Sequence, residues 1–108
     1  MKIELFENFT CRSGQNAKEN WQLLDQAENH HIFLHLSSFS SGYVILNYDE
    51  DTKLSPHMLH TAAQICKNNT KYKKMQNIKI DWCRCDNLKK GDVIGEVYFK
   101  SNKKVKQI

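Results

Sequence analysis

At 108 residues, with 40% hydrophobic and 26% charged side chains, one Pro and four Gly, the chain has the make-up of one globular domain and not of a disordered tract. No apolar run nears the roughly 20 residues of a membrane span, and acids stand in MKIELFENF where a signal peptide has its apolar segment, so a cytoplasmic protein without membrane contact is expected. The net charge of +4 hides a division: residues 1–66 hold four Lys and Arg against eight acids, net −4, and residues 67–108 hold twelve against four, net +8.

Taken in order, Ile3 to Phe9 alternates weakly as an opening strand, and Thr10 to Gly14 follows as a second strand or turn. Asn16 is a helix N-cap with Glu19 three positions on as its capping-box partner. Ala17, Trp21 and Leu24 then recur at helical spacing, with Leu23 and Ala27 at the margin and Trp21 as the anchor. The stretch HIFLHLSSFSSGYVILNY reads as two strands, 31–36 and 43–48, around a Ser-rich loop with Gly42. Ile32, Leu34 and Leu36 share one face with Val44 and Leu46 as the floor of the core. His31, Phe33 and His35 beside Tyr43, Ile45 and Asn47 form a mixed polar and aromatic face, the first place to look for function.

Ser55-Pro56 begins a second helix, Ser as cap and Pro at the first helical position, with Leu59, Ala62, Ala63 and Cys66 on its packing face. Asn68 to Thr70 end it, and Lys71 to Asn77 is a basic connection holding Tyr72. Ile78, Ile80 and Trp82 alternate as a third core strand. Cys85 to Asp92 reads as a loop, and Glu96–Lys100 with Lys104–Ile108 as a closing hairpin around Ser101-Asn102-Lys103. Hairpins imply a largely antiparallel sheet with two helices packed on it, an α+β fold in a single domain over residues 1–108.

No phosphate-binding Gly loop, nucleophile elbow or zinc-protease helix is present. Cys83 and Cys85 share one strand face, but a closed zinc site needs four ligands, and neither Cys66 nor any histidine stands at a metal-binding spacing. Reduced cysteines and no metal or other cofactor are therefore expected. His35 with Cys83 or Cys85 is the one pairing that would serve a nucleophilic enzyme; without a signature around it, no enzyme is expected. The basic carboxy-terminal part suits a polyanion, because neutralising phosphates releases counterions, although a solvated Lys-rich face has the same composition.

Several segments together resemble the NFACT-R domain, the RNA-binding module of the NEMF and FbpA proteins of ribosome-associated quality control. Its G-x-N-x-x-E-N pattern resembles Gly14 to Asn20, its strand ending in histidine resembles His31 to His35, and its small-residue loop and apolar strand resemble Ser40 to Leu46. Its Pro-led helix resembles Pro56 to Lys67, and its G-x-V strand Gly95-Glu96-Val97. Asn77 to Lys90, ending Asn87-Leu88-Lys89-Lys90, is most similar to the stand-alone coiled-coil-domain relatives. Against the family pattern, His31 replaces an acid, Phe33 a Trp and Tyr43 a His; the coiled coil and NFACT-N parts of the longer relatives are not in this sequence.

The resemblance implies a non-enzymatic domain that binds structured RNA, tRNA or rRNA, in translation or at the ribosome. Lys89, Lys90, Lys73 and Lys74 would neutralise phosphates, and His35, Lys18, Asn16 and Asn20 would line the family-type surface beside them. Two alternatives use the same fold: a DNA-binding version, and a protein-interaction module whose lysines serve solubility.

Overall fold

The computed structural model describes residues 1–37 and 41–108, so the centre of the expected Ser-rich loop lies outside the described residues. The order is β1 (Lys2–Leu5), β2 (Phe9–Ser13), α1 (Ala17–Gln26), β3 (Ile32–Leu36), β4 (Val44–Tyr48), α2 (Pro56–Asn68), β5 (Ile80–Arg84), β6 (Leu88–Lys90), β7 (Val97–Phe99) and β8 (Lys106–Gln107). Short 3-10 turns at Cys85–Asn87 and Asn102–Lys104 precede β6 and β8. Six strands form one antiparallel sheet in the order β1-β2-β4-β3-β5-β8, and β6 and β7 form a separate antiparallel pair. The α+β class with two helices on an antiparallel sheet is as the sequence implies.

Ile32, Leu34 and Leu36 of β3, Val44 and Leu46 of β4, and Cys11 of β2 point to one side. There they meet Met58, Ala62, Ala63 and Cys66 of α2, whose alanines let helix and sheet approach closely. Ser55 caps α2 by accepting from the Met58 N–H at 3.2 Å, with Pro56 at the first helical position. Met58 is the fully buried residue of its first turn, and Leu59 packs half-buried against the same core.

The mixed polar face expected of β3 and β4 is a second core. Phe33, Ile45 and Cys83 are 2%, 1% and 1% exposed, and Leu23 of α1 packs on them at 1%. Leu88 and Phe99 of the β6–β7 pair pack against the same cluster. The sheet is therefore covered on both sides, which explains why Val44-Ile45-Leu46 is apolar without interruption. Leu23, not Trp21, anchors α1, and Ala17 is exposed.

The closing hairpin is a second correction. β7 pairs with β6 (Leu88↔Phe99), and β8 crosses to the edge of the main sheet beside β5 (Trp82↔Lys106). The segment expected as a loop thus holds β6. The reason is burial: Leu88 and Phe99 enter the second core only if β6 and β7 lie together over it. Strand β5 begins at Ile80, and Ile78 packs from outside it. At the other margin all four residues of β1 are exposed, with Ile3 at 53% and Leu5 at 79%.

Candidate nucleic-acid interface

The family-type motif residues surround the start of α1, where three glycines allow backbones to meet. A Cβ on Gly14 would lie 2.0 Å from Asn20 Oδ1, and one on Gly95 would lie 2.6 Å from the Ala17 Cβ, at a φ of +90° that side chains rarely adopt. A Cβ on Gly42 would lie 2.2 Å from the Gly14 carbonyl oxygen. The Gly14 N–H donates to the Tyr43 carbonyl at 3.0 Å, and the Tyr43 N–H donates to Asn20 Oδ1 at 3.2 Å. Tyr43 also donates its hydroxyl to the Gly95 carbonyl, and Trp21 Nε1 donates to the Glu96 carbonyl at 3.1 Å.

Asn16 caps α1, its Oδ1 accepting from the Glu19 N–H at 2.9 Å. Glu19 reaches back to accept from the Gln15 N–H at 3.1 Å, one residue before the cap. Its carboxylate also meets the Met1 ammonium at 2.7 Å; that contact first, and the Gln15 N–H second, hold its pKa below the ordinary value. The motif therefore has an architectural reading position by position: clearance at Gly14, a cap at Asn16, a clasp at Glu19 and a buried anchor at Asn20, which is 9% exposed.

Six of the eight sequence-predicted site residues, Asn16, Lys18, Asn20, His35, Lys89 and Lys90, lie on the α1 side of the sheet. Lys18 and Lys89 extend into solvent. Lys90 is tethered: its ammonium pairs with Asp25 and stands 4.9 Å over the Trp21 ring. His35 is half-buried, stacked 6.4 Å from Phe33 and edge-on to Tyr43 at 5.4 Å. Burial is the main cause that lowers its pKa, with Asp81 across the register opposing, so the ring is neutral near pH 7. Lys73 and Lys74 stand apart: they follow Tyr72, which packs on the α2-side core.

Along the α1 side runs a groove of about 380 Å³ walled by Gln15, Asn16, Asn20, Gly42, Ile94 and Gly95. It shares Gln15 and Gly42 with a polar cavity of about 370 Å³ that reaches Lys2, Ser13 and Asn69. Lys2 Nζ donates to Asn69 Oδ1 at 3.1 Å and Asn69 Nδ2 to Ser13 Oγ at 3.0 Å, so the cavity is lined by fixed amides and one cation.

Among the described residues Glu28, His30 and His31 bring ligand-type atoms within 4.8 Å of one another. Their nitrogens are largely engaged. His31 Nδ1 accepts from the Glu28 N–H at 3.0 Å, which places the ring proton on Nε2, 3.3 Å from the Glu28 carboxylate. His30 Nε2 donates to the Tyr48 carbonyl at 2.7 Å. The group is a hydrogen-bonded corner, short of the four ligands of a closed zinc site. All four cysteines are free, and burial pushes Cys11 and Cys85 up to about 12 and Cys66 and Cys83 up to about 11. Such thiols are not ionised at neutral pH and make poor nucleophiles.

Basic groups that sequence reading passed over lie on the α2 side, where Arg84, Lys103, Lys104 and Lys106 ring a cavity floored by Trp82 and Tyr48. The run Lys103-Lys104-x-Lys106 was the available signal; its conjunction with two aromatic residues is tertiary.

The class so defined is a two-sided α+β domain with a glycine-cleared helix start and a Lys-rich, largely exposed carboxy-terminal third. The family model for the NFACT protein RNA binding domain matches residues 4–101. The chain belongs to this family of RNA-binding domains. The C-terminal of the fibronectin/fibrinogen-binding protein from Streptococcus suis is similar in fold: TM-score 0.78 at 17% identity, covering 93% of this chain and 39% of that one. No curated protein matches by sequence.

Proposed function

We propose that this domain binds structured RNA, tRNA or rRNA, without catalysing a reaction, and that it does so in translation or ribosome-associated quality control. The RNA-binding family match over residues 4–101 carries the reading. The net +8 of residues 67–108 and the gathering of Lys18, Lys89 and the motif residues on one side of the sheet support it. Lys18 and Lys89 neutralise phosphates on the α1 side, the His35–Tyr43 pair adds aromatic surface on that side, and Asn16 and Asn20 hold the groove's shape. Lys73 and Lys74 serve RNA that reaches around the sheet, and Lys90 supports its strand through Asp25 and Trp21.

Mobility shift with tRNA and with rRNA hairpins at several salt concentrations tests this. Neutralisation of about four phosphates gives a log–log salt slope near −3, roughly a 60-fold loss of affinity between 50 and 200 mM. Lys18→Glu with Lys89→Glu should weaken binding across sequences and flatten that slope by about 1 to 2. Binding insensitive to both salt and charge reversal refutes the reading. Equal affinity for duplex DNA points to the DNA version, and partners captured after nuclease treatment point to the protein-interaction module.

A further inference from the structure

On the α2 side of the sheet, across from the groove of the proposed function, a cavity of about 660 Å³ is lined by Ile32, Tyr48, Leu54 and Trp82 and rimmed by Arg84, Lys103, Lys104 and Lys106. We infer that it is a second site, which takes an unpaired nucleobase against Trp82 and Tyr48 and holds the adjoining phosphates on Lys103, Lys104 and Lys106.

Its size falls within the range of small-ligand pockets. The floor is apolar, with Ile32 at 1% exposure, and two aromatic rings offer the faces on which any base stacks. Tyr48 is pinned by reciprocal bonds: its hydroxyl donates to the His30 carbonyl at 3.1 Å while His30 Nε2 donates to the Tyr48 carbonyl at 2.7 Å. Trp82 is set by its register between Leu34 and Lys106, and its indole N–H has no partner among the described residues, leaving a donor for a base edge.

The charge is placed as firmly. Asn87 is 4% exposed and clamps the segment before β8: its Nδ2 donates to the Ser101 carbonyl and its Oδ1 accepts from the Ser101 N–H, both at 3.0 Å. That clamp holds Lys103 and Lys104 against the exit of β5. Arg84 is committed to Asp86, at 3.0 and 3.4 Å, so the one acid of the cavity is already matched. Among the described residues no acid pairs with Lys103, Lys104 or Lys106. Lys106 Nζ lies 5.4 Å over the Trp82 ring, where a base would displace it toward phosphate. Three unmatched cations around two aromatic rings suit a nucleotide, whereas a simple anion would have no use for the rings.

The ligand class rests on the RNA-binding reading; the site does not share its residues. The test uses the Trp21→Phe protein, in which Trp82 is the sole indole, titrated with a single-stranded hexauridylate and with adenosine monophosphate while emission is recorded. Saturable quenching is expected, weakened about tenfold or more by Lys103→Glu with Lys104→Glu and within twofold of unchanged by Lys18→Glu with Lys89→Glu. Trp82→Leu removes the reporter, so it is read by mobility shift with labelled hexauridylate after a circular dichroism check of folding, and should lose affinity to a similar extent. Absent quenching while hairpin RNA still shifts overturns this site and leaves the proposed function standing. Quenching that ignores the Lys103 and Lys104 reversal also overturns it. Loss of both quenching and shift removes both.

Discussion

The contact between Gly14 and Asn20 yields a double-mutant cycle whose outcome is set by geometry. In Gly14→Ala, the new methyl would stand 2.0 Å from Asn20 Oδ1, so the amide must retreat about 1.4 Å to reach the 3.4 Å at which ordinary contact begins. Its 3.2 Å bond from the Tyr43 N–H cannot survive that displacement. Steric displacement costs about 1–3 kcal/mol and stranding a part-buried donor a further ~1–3, so the single variant should lose about 3 kcal/mol. Asn20→Ala strands the same donor but creates no clash and gains a little helix propensity, for a net loss of about 1–2 kcal/mol. With the amide gone the methyl at position 14 strikes little but the Asn20 backbone nitrogen at 3.0 Å. The double variant should therefore stay near 2 kcal/mol, well short of the ~4–5 that independent effects would give, a coupling of roughly 2 kcal/mol. Urea unfolding of the four proteins at a common m-value measures it. Additivity within about 0.5 kcal/mol would show that the two residues do not meet as described.

Leu23→Ala should cost about 2–5 kcal/mol because Leu23 fills the second core, whereas Trp21→Phe, which gives up one part-buried hydrogen bond, should cost nearer 1; calorimetric melting that reverses the order would contradict the two-sided sheet. Lys90→Glu should destabilise by about 1 kcal/mol, through lost contact with Asp25 and Trp21 and new repulsion, while Lys89→Glu leaves chemical unfolding unchanged and acts on RNA affinity. The pH dependence follows from His31 and His35, whose folded pKa values lie below the ordinary 6.5, chiefly through burial. Protonation favours the unfolded chain, so their contribution is complete above pH 6.5 and is lost as pH falls through the folded values; melting temperatures at pH 5 to 7.5 should drop on the acid side, less so in His35→Phe. A protein that grows more stable on acidification would have these histidines wrongly placed.

What the sequence disclosed was local. Asn16 and Ser55 bond to N–H groups three residues away, and such caps declare themselves in the chain. Strands β3 and β4 show in their alternation, but alternation reveals one buried face and conceals the second, because Phe33 and Ile45 share their side with the polar His31 and Asn47. The unbroken apolar triplet Val44-Ile45-Leu46 is the local trace of a strand covered on both sides. Pairing of β8 with β5 and of β6 with β7 is decided by which residues reach the second core, and nearest-neighbour hairpin logic has no access to that. The same holds for function: the lysines of the last third were evident as charge, while their arrangement around Trp82 arises only once β8 lies beside β5.

The bare outer side of β1 gives the domain one adhesive margin. Strand β8, at the opposite margin, is two residues long and carries a lysine, which discourages any further strand from zipping on there. Two molecules meeting through β1 would consume each other's longer edge of the main sheet, so lateral assembly favours a pair over a filament.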